Sequence, residues 1–317
     1  MRRTNFLLLL LLGLFQVTNI HGVVKGDRIT TYGKTYVVTA KRDAGNGHPA
    51  AYEVAFISSD LMTVNIPKEI QDTAKEHKWK VTAIMDNSRV PNATSVTIPN
   101  TVRTINANCL IGKKLTTIHI PESVTNIQNG AFAFTSALTS ITVETANPYY
   151  YSQDGVLYSK EDSGNKCLVA YPVARQGTDY HIPDGIVGIR PNALQWSQFL
   201  ETVYLPSTLT ELPAEDGYNG FTSALKLKAI QVDDANPKFS SVDGVILSKA
   251  KTELVVYPNA KDDDPYTIPS TVIKILEGAF GRVCNIKNIV MNPPLKEIGK
   301  EAFKDCVQLC SVSIPAS

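Results

Sequence analysis

The chain predicts a solenoid, mostly β, whose coils of about 23 residues stack with a parallel sheet along one face. Three observations predict it. A strand-like phrase returns at Leu115 to Pro121, Leu138 to Val143, Leu200 to Pro206 and Leu309 to Pro315. Its last apolar residues stand at Ile66, Ile98, Ile120, Val143, Ile182, Leu205, Val232, Ile268, Met291 and Ile314, and four of the nine intervals are 23. Within the phrase apolar and polar residues alternate, as in Ser140-Ile141-Thr142-Val143, which is the period of a strand with one buried face. No such unit can bury its apolar side alone, so a fixed period means neighbours that cover one another.

The elements follow in order. Residues 1–22 read as a secretory leader: Arg2-Arg3 precede an apolar run from Phe6 to Val17 that is too short to span a bilayer. Residues 23–97 are less regular and read as an N-terminal cap with the first irregular repeats. Strand signals stand at Tyr32 to Val38, Glu53 to Ile57 and Lys80 to Ile84. The solenoid proper is expected over 98–317. In each coil a Pro fixes φ and turns the chain after the strand. A second short extended piece follows, such as Val124 to Ile127. Then comes an Ala-Phe pair, as at Ala131-Phe132, Ala279-Phe280 and Ala302-Phe303, where one helical turn is expected and the Phe plugs the space between coils.

Two longer units carry insertions near 144–172 and 233–258. Asn147-Pro148 leads to Asp154-Gly155-Val156-Leu157 and then Tyr171-Pro172; Asn236-Pro237 leads to Asp243-Gly244-Val245-Ile246 and then Tyr257-Pro258. Each reads as a β-hairpin joined by a polar turn, with Asp-Gly supplying positive φ at its entry. The chain stops at Ile314-Pro315-Ala316-Ser317, just past a strand, so an uncovered last coil available for self-association is expected.

The combined pattern resembles the leucine-rich repeats of the Bacteroides surface protein type, also called the Treponema pallidum type. Ile120-Pro121, Val124, Ile127, Ala131-Phe132, Leu138, Ile141 and Val143 match its repeat, as do Ala302-Phe303, Cys306, Leu309, Val312 and Ile314. The resemblance covers roughly residues 50 to 317. It implies an α/β-type leucine-rich repeat solenoid with short helical turns or extended segments opposite the sheet. It further implies an exported or surface protein, some of whose relatives bind host matrix proteins or other bacteria. The family motif holds no catalytic residues, so none carries over.

Composition narrows the function classes. The chain has 317 residues, 43% of them hydrophobic, with 31 Lys and Arg against 30 Asp and Glu. Without the leader the balance is 29 to 30, which favours neither nucleic acid nor an anionic membrane. No stretch after the leader is long enough for a membrane helix. The cysteines Cys109, Cys167, Cys284, Cys306 and Cys310 are odd in number and irregularly spaced; they read as small buried residues rather than a disulfide framework or a zinc site. The five histidines lack metal-ligand spacing, and nucleophile, phosphate-binding and calcium motifs are absent from the sequence. Hence no catalytic residue, cofactor or metal ligand is assigned.

The binding residues are instead expected where strand side chains point outward. These are Thr117, His119, Thr142, Thr202, Tyr204 and Gln231, with Tyr150 and Tyr158 as exposed aromatic contacts in the first insertion. The expected function is non-catalytic binding of an extracellular protein or glycan by an exported or cell-surface protein, in adhesion or host and matrix interaction. A structural role in a surface assembly is the first alternative, and a glycan hydrolase the second.

Overall fold

The computed structural model describes residues 25–42, 51–71, 77–160, 166–213, 219–291 and 295–313. The expected leader and the last four residues lie outside the described residues. About eleven turns stack into a β-solenoid, and each turn has three edges.

The first edge carries the repeated phrase. Thr63–Asn65 pairs with Ser95–Thr97, and Thr117–Ile120 with Ser140–Val143. Asp179–His181, Thr202–Leu205 and Ala229–Val232 form a third group, and Tyr266–Thr267, Asn288–Val290 and Ser311–Ser313 a fourth. All these pairings are parallel and in register: Ile118 faces Ile141, and Val203 lies between Tyr180 and Ile230. Those inward side chains are buried. This is the alternation of the sequence turned into a core.

A reverse turn then leads to the second edge. The carbonyls of Pro99, Pro121, Pro183, Pro206 and Pro269 each accept the N–H of the residue three further on: Val102, Val124, Ile186, Leu209 and Val272. Pro stands at the first position of the turn, and the apolar residue that closes it is buried. The spacing of Pro to apolar residue is therefore a hydrogen-bond ring. Beyond it run short strands such as Thr104–Ile105, Asn126–Ile127, Lys274–Ile275 and Glu297–Ile298.

The third edge departs from expectation. No helix occurs among the described residues. Ala131, Ala133 and Thr135 donate to Gln128, Gly130 and Phe132, a string of reverse turns. Left-handed φ at Gly130 (+68°), Asn192 (+61°), Ser223 (+62°) and Gly278 (+61°) interrupts any helical run. The backbone also bonds along the stack instead of within itself: Cys109 N–H to Ala131 O, Phe280 to Ala302, Arg282 to Lys304. Of the expected Phe plugs, Phe132 and Phe280 are buried and Phe303 is partly buried; Phe221 is a further buried one. Rings of Tyr257, Phe280 and Phe303 stack with centroids 5.1 and 5.0 Å apart.

Both insertions hold one strand more than expected. Tyr150–Gln153 runs antiparallel to Val156–Ser159, which pairs antiparallel with Lys166–Ala170. Phe239–Val242, Val245–Ser248 and Glu253–Val256 repeat the arrangement. Asp-Gly is the tight turn between the first two strands, not an entry to the hairpin. Both turn residues have positive φ, +50° and +78° at Asp154-Gly155 and +49° and +78° at Asp243-Gly244, as a two-residue hairpin turn requires.

The tip of each hairpin lies against a first-edge strand. A Cβ on Gly155 would sit 2.7 Å from Ser140 Oγ, and one on Gly244 2.8 Å from Ala229 Cβ. Gly155 O and Ser152 Oγ accept from Ile141 and Val143, while Gly244 O and Ser241 Oγ accept from Ile230 and Val232. These N–H groups would otherwise pair with the next coil. The hairpins therefore close the Ser140–Val143 and Ala229–Val232 edges and divide the first-edge sheet into short sections.

At the N-terminal side Arg28–Thr31, Lys34–Arg42 and Ala51–Ser59 form an antiparallel meander. Its last strand pairs parallel with Lys78–Arg89, and the sheet runs on into Thr104–Ile105 and Asn126–Ile127. Buried Trp79, Tyr36 and Phe56 fill this end.

Candidate binding site on the first edge

Outward residues of the third first-edge section fall into a row. His181, Tyr204 and Gln231 are Cα partners on three consecutive strands. Strand spacing of about 4.8 Å forces planar side chains at such positions together. His181 and Tyr204 accordingly stack with ring centroids 4.0 Å apart and planes 4° from parallel. The turn that follows each strand adds Pro183 and Pro206 as walls and Asp184 and Asp233 as acceptors, around a hollow of about 420 Å³. Asp233 Oδ1 also accepts the N–H of Ala235 at 2.7 Å, which fixes that carboxylate. Thr202 flanks the row, one strand position from Val203.

His119, Thr142 and Thr117 lie on the neighbouring section. His119 and Thr142 face each other across the strand pair, with His119 Nδ1 and Thr142 Oγ1 3.0 Å apart. Thr117 faces Ser140, and Thr117, His119 and Thr142 are exposed. The first hairpin separates this group from the His181 row, so the six outward residues do not form one continuous sheet surface.

Tyr150 and Tyr158 are a correction. Both are buried, at 3% and 1% exposure, and cannot serve as surface contacts. The Tyr150 hydroxyl accepts the Ile127 N–H at 2.8 Å, and the Arg190 guanidinium lies over its ring. The Tyr158 hydroxyl bonds to that of Tyr180. Desolvation raises the Tyr158 pKa to about 12 and pushes that of Tyr180 further up. The residue that sequence reasoning missed is His181. Its signal was present, because Tyr180-His181-Ile182-Pro183 stands 23 residues before Val203-Tyr204-Leu205-Pro206 at matching places in the phrase.

The hollow offers a stacked aromatic pair, an amide and two carboxylates. Such a set suits a ring with one apolar face and hydroxyl edges. Among the described residues no cluster of His, Cys, Asp or Glu could hold a metal ion. None of the five cysteines forms a disulfide. Cys109 and Cys167 are buried as expected, but Cys284 and Cys306 are only partly buried and Cys310 is exposed, so the reading as buried ladder residues fails for those three. Desolvation holds the Cys306 thiol at about 11.

Comparison with known proteins gives the following. Residues 87–155 and 264–317 match six copies of the BspA type leucine rich repeat region. The pneumococcal vaccine antigen PcpA is similar over 92% of this chain and 71% of its own, at 21% identity and a TM-score of 0.47. A leucine rich cell surface protein from Faecalibacterium prausnitzii A2-165 is similar over 92% and 95%, at 17% identity and 0.47. A leucine-rich repeat protein from Eubacterium ventriosum ATCC 27560 is similar over 92% and 97%, at 15% identity and 0.44. No curated protein matches the chain.

Proposed function

We propose, from the match of residues 87–155 and 264–317 to the BspA type leucine rich repeat, that this chain binds a glycan or the glycan-bearing surface of a protein outside the cytoplasm, without catalysis. One observation carries the reading: His181 and Tyr204 present a parallel ring stack beside Gln231, over a hollow edged by Asp184 and Asp233. A sugar ring packs its C–H surface against the aromatic pair and donates hydroxyl protons to the carboxylates and the Gln231 carbonyl. Thr202 extends the contact along the strand. Thr117, His119 and Thr142 form a second, smaller contact surface beyond the hairpin. The coils are held by backbone ladders, so little ordering cost falls on the protein when it binds. The apolar leader at 1–22 supports export to the surface, periplasm or medium.

A glycan and matrix-protein array tests this. Wild type is expected to bind a defined set of glycans, and Tyr204→Ala to lose about tenfold or more in affinity while its melting temperature stays unchanged. Binding that survives in Tyr204→Ala removes the site. Turnover of any bound glycan removes the non-catalytic reading.

A further inference from the structure

A second hollow lies on the third edge and shares no lining residue with the first. In five coils an equivalent position stands two residues beyond the third-edge Phe or Leu: Phe134, Trp196, Ser223, Arg282 and Asp305. In the later coils this position is polar and internally linked. Arg282 Nε lies 3.2 Å from Asp305 Oδ2, and Arg282 Nη1 lies 3.3 Å from Ser223 Oγ. In the two earlier coils it is aromatic, with the Phe134 and Trp196 rings 6.0 Å apart. Trp196, Ser223, Arg282 and Asp305 all have φ between +57° and +62°, a conformation that small polar residues adopt most readily. Backbone preference does not account for an indole there.

Ile111, Val173 and Leu225 complete the apolar lining, giving a groove of about 580 Å³ that crosses several coils. That is the size of a small-molecule site. At its floor a Cβ on Gly112 would meet the Val90 carbonyl oxygen at 2.6 Å, so the absence of a side chain lets two coils meet backbone to backbone. Phe134 and Leu225 stand 42% and 49% exposed, which is costly for two large apolar side chains in one place. The charged residues lining the groove are Arg89 and Lys113, with no acid among them. Both are exposed, and neither side chain has a partner among the described residues.

We infer that this groove binds a small amphipathic organic anion. Its apolar body lies against Phe134, Trp196 and Leu225, and its carboxylate, sulfonate or phosphate head meets Arg89 and Lys113. A neutral apolar ligand would leave two cations unused, and a cationic one would be repelled.

Fluorescence titration of the purified full chain tests this with two probes. 8-Anilino-1-naphthalenesulfonate carries an aromatic body and an anionic head; N-phenyl-1-naphthylamine has the same body without the sulfonate. Expected is saturable one-to-one binding of the anion. Replacing both cations, Arg89→Gln with Lys113→Gln, weakens the anion by about tenfold and leaves the neutral probe unchanged. Leu225→Glu weakens both; if that variant melts early, Phe134→Ala takes its place. Equal losses for the two probes on removing the cations overturn the assignment, as does anion binding that ignores Leu225→Glu and Phe134→Ala. Failure of the anion to bind, with light scattering showing a dimer that Leu225→Glu dissociates, also overturns it and makes a second copy of the chain the occupant.

Discussion

At the scale of single residues, two buried asparagines explain the Asn-Pro phrases that open the insertions. Asn147 donates to the carbonyls of Pro121 and Val124 and accepts from the N–H groups of Tyr149 and Tyr150. Asn236 repeats the set with Pro206, Leu209, Lys238 and Phe239. Each amide ties the start of an insertion to the turn of the preceding coil. Removing it leaves several buried backbone groups unpaired. Asn236→Ala is therefore expected to cost about 2–4 kcal/mol in denaturant unfolding, against less than about 0.5 kcal/mol for exposed Thr142→Ala.

The buried tyrosines make a second residue-scale prediction. Tyr158 titrates in the folded state near 12, and Tyr36, Tyr180, Tyr257 and Tyr266 are raised as well, all chiefly by desolvation. The folded state thus holds these protons more tightly than the unfolded chain, whose tyrosines titrate near the ordinary value of about 10. Stability is flat in this respect below pH 10 and falls as pH rises from there through 12. Absorbance at 295 nm should show the exposed tyrosines ionising first and the buried ones only together with loss of the β circular-dichroism signal. Smooth ionisation of all tyrosines with the fold intact would refute their burial.

At the scale of elements, the hairpin insertions decide what surface the solenoid presents. Their tips satisfy the free edges of Ser140–Val143 and Ala229–Val232, and this needs glycine for two reasons. The turn demands positive φ, and a side chain would collide with the strand beneath. Gly185 has φ of +85° and open space around it, so it isolates the first reason. Gly155→Ala and Gly244→Ala should each destabilise by about 2–4 kcal/mol, and Gly185→Ala by about 1 kcal/mol. Equal melting shifts for Gly185→Ala and Gly244→Ala would show that the tips do not press on the strands.

These same elements mark the limit of what the sequence discloses. Alternation along a phrase reveals which side of a strand is buried, so Ile118, Ile141 and Val203 are legible, and with them outward Tyr204 and Gln231. The Pro turns are legible because their hydrogen-bond ring spans only four residues. Burial of Tyr150 and Tyr158 is not, because it depends on which face of a hairpin meets coils distant along the chain. The third edge is misread as helical because its left-handed positions are held by Asn192, Trp196, Ser223 and Arg282 as well as by Gly130 and Gly278, so glycine alone does not mark them. His181 shows the opposite failure: its place in the phrase was visible, but the value of that place comes only from Tyr204 stacking against it in the next coil.

At the scale of the whole molecule, stacking makes each coil the cover of its neighbour, and three buried clusters follow one another along the chain. The surface that remains is not one broad wall. Hairpins section the first edge, and the section with the widest chemical reach is the one bearing His181, Tyr204 and Gln231. The proposed binding function puts the ligand on that section. Backbone and side-chain NMR shift mapping with a glycan selected on the array measures this directly. Perturbations should centre on residues 179–184, 202–206 and 229–233, with the Thr117, His119 and Thr142 group moving less. Shifts centred outside the His181, Tyr204 and Gln231 row, or spread evenly over all the coils, would contradict it.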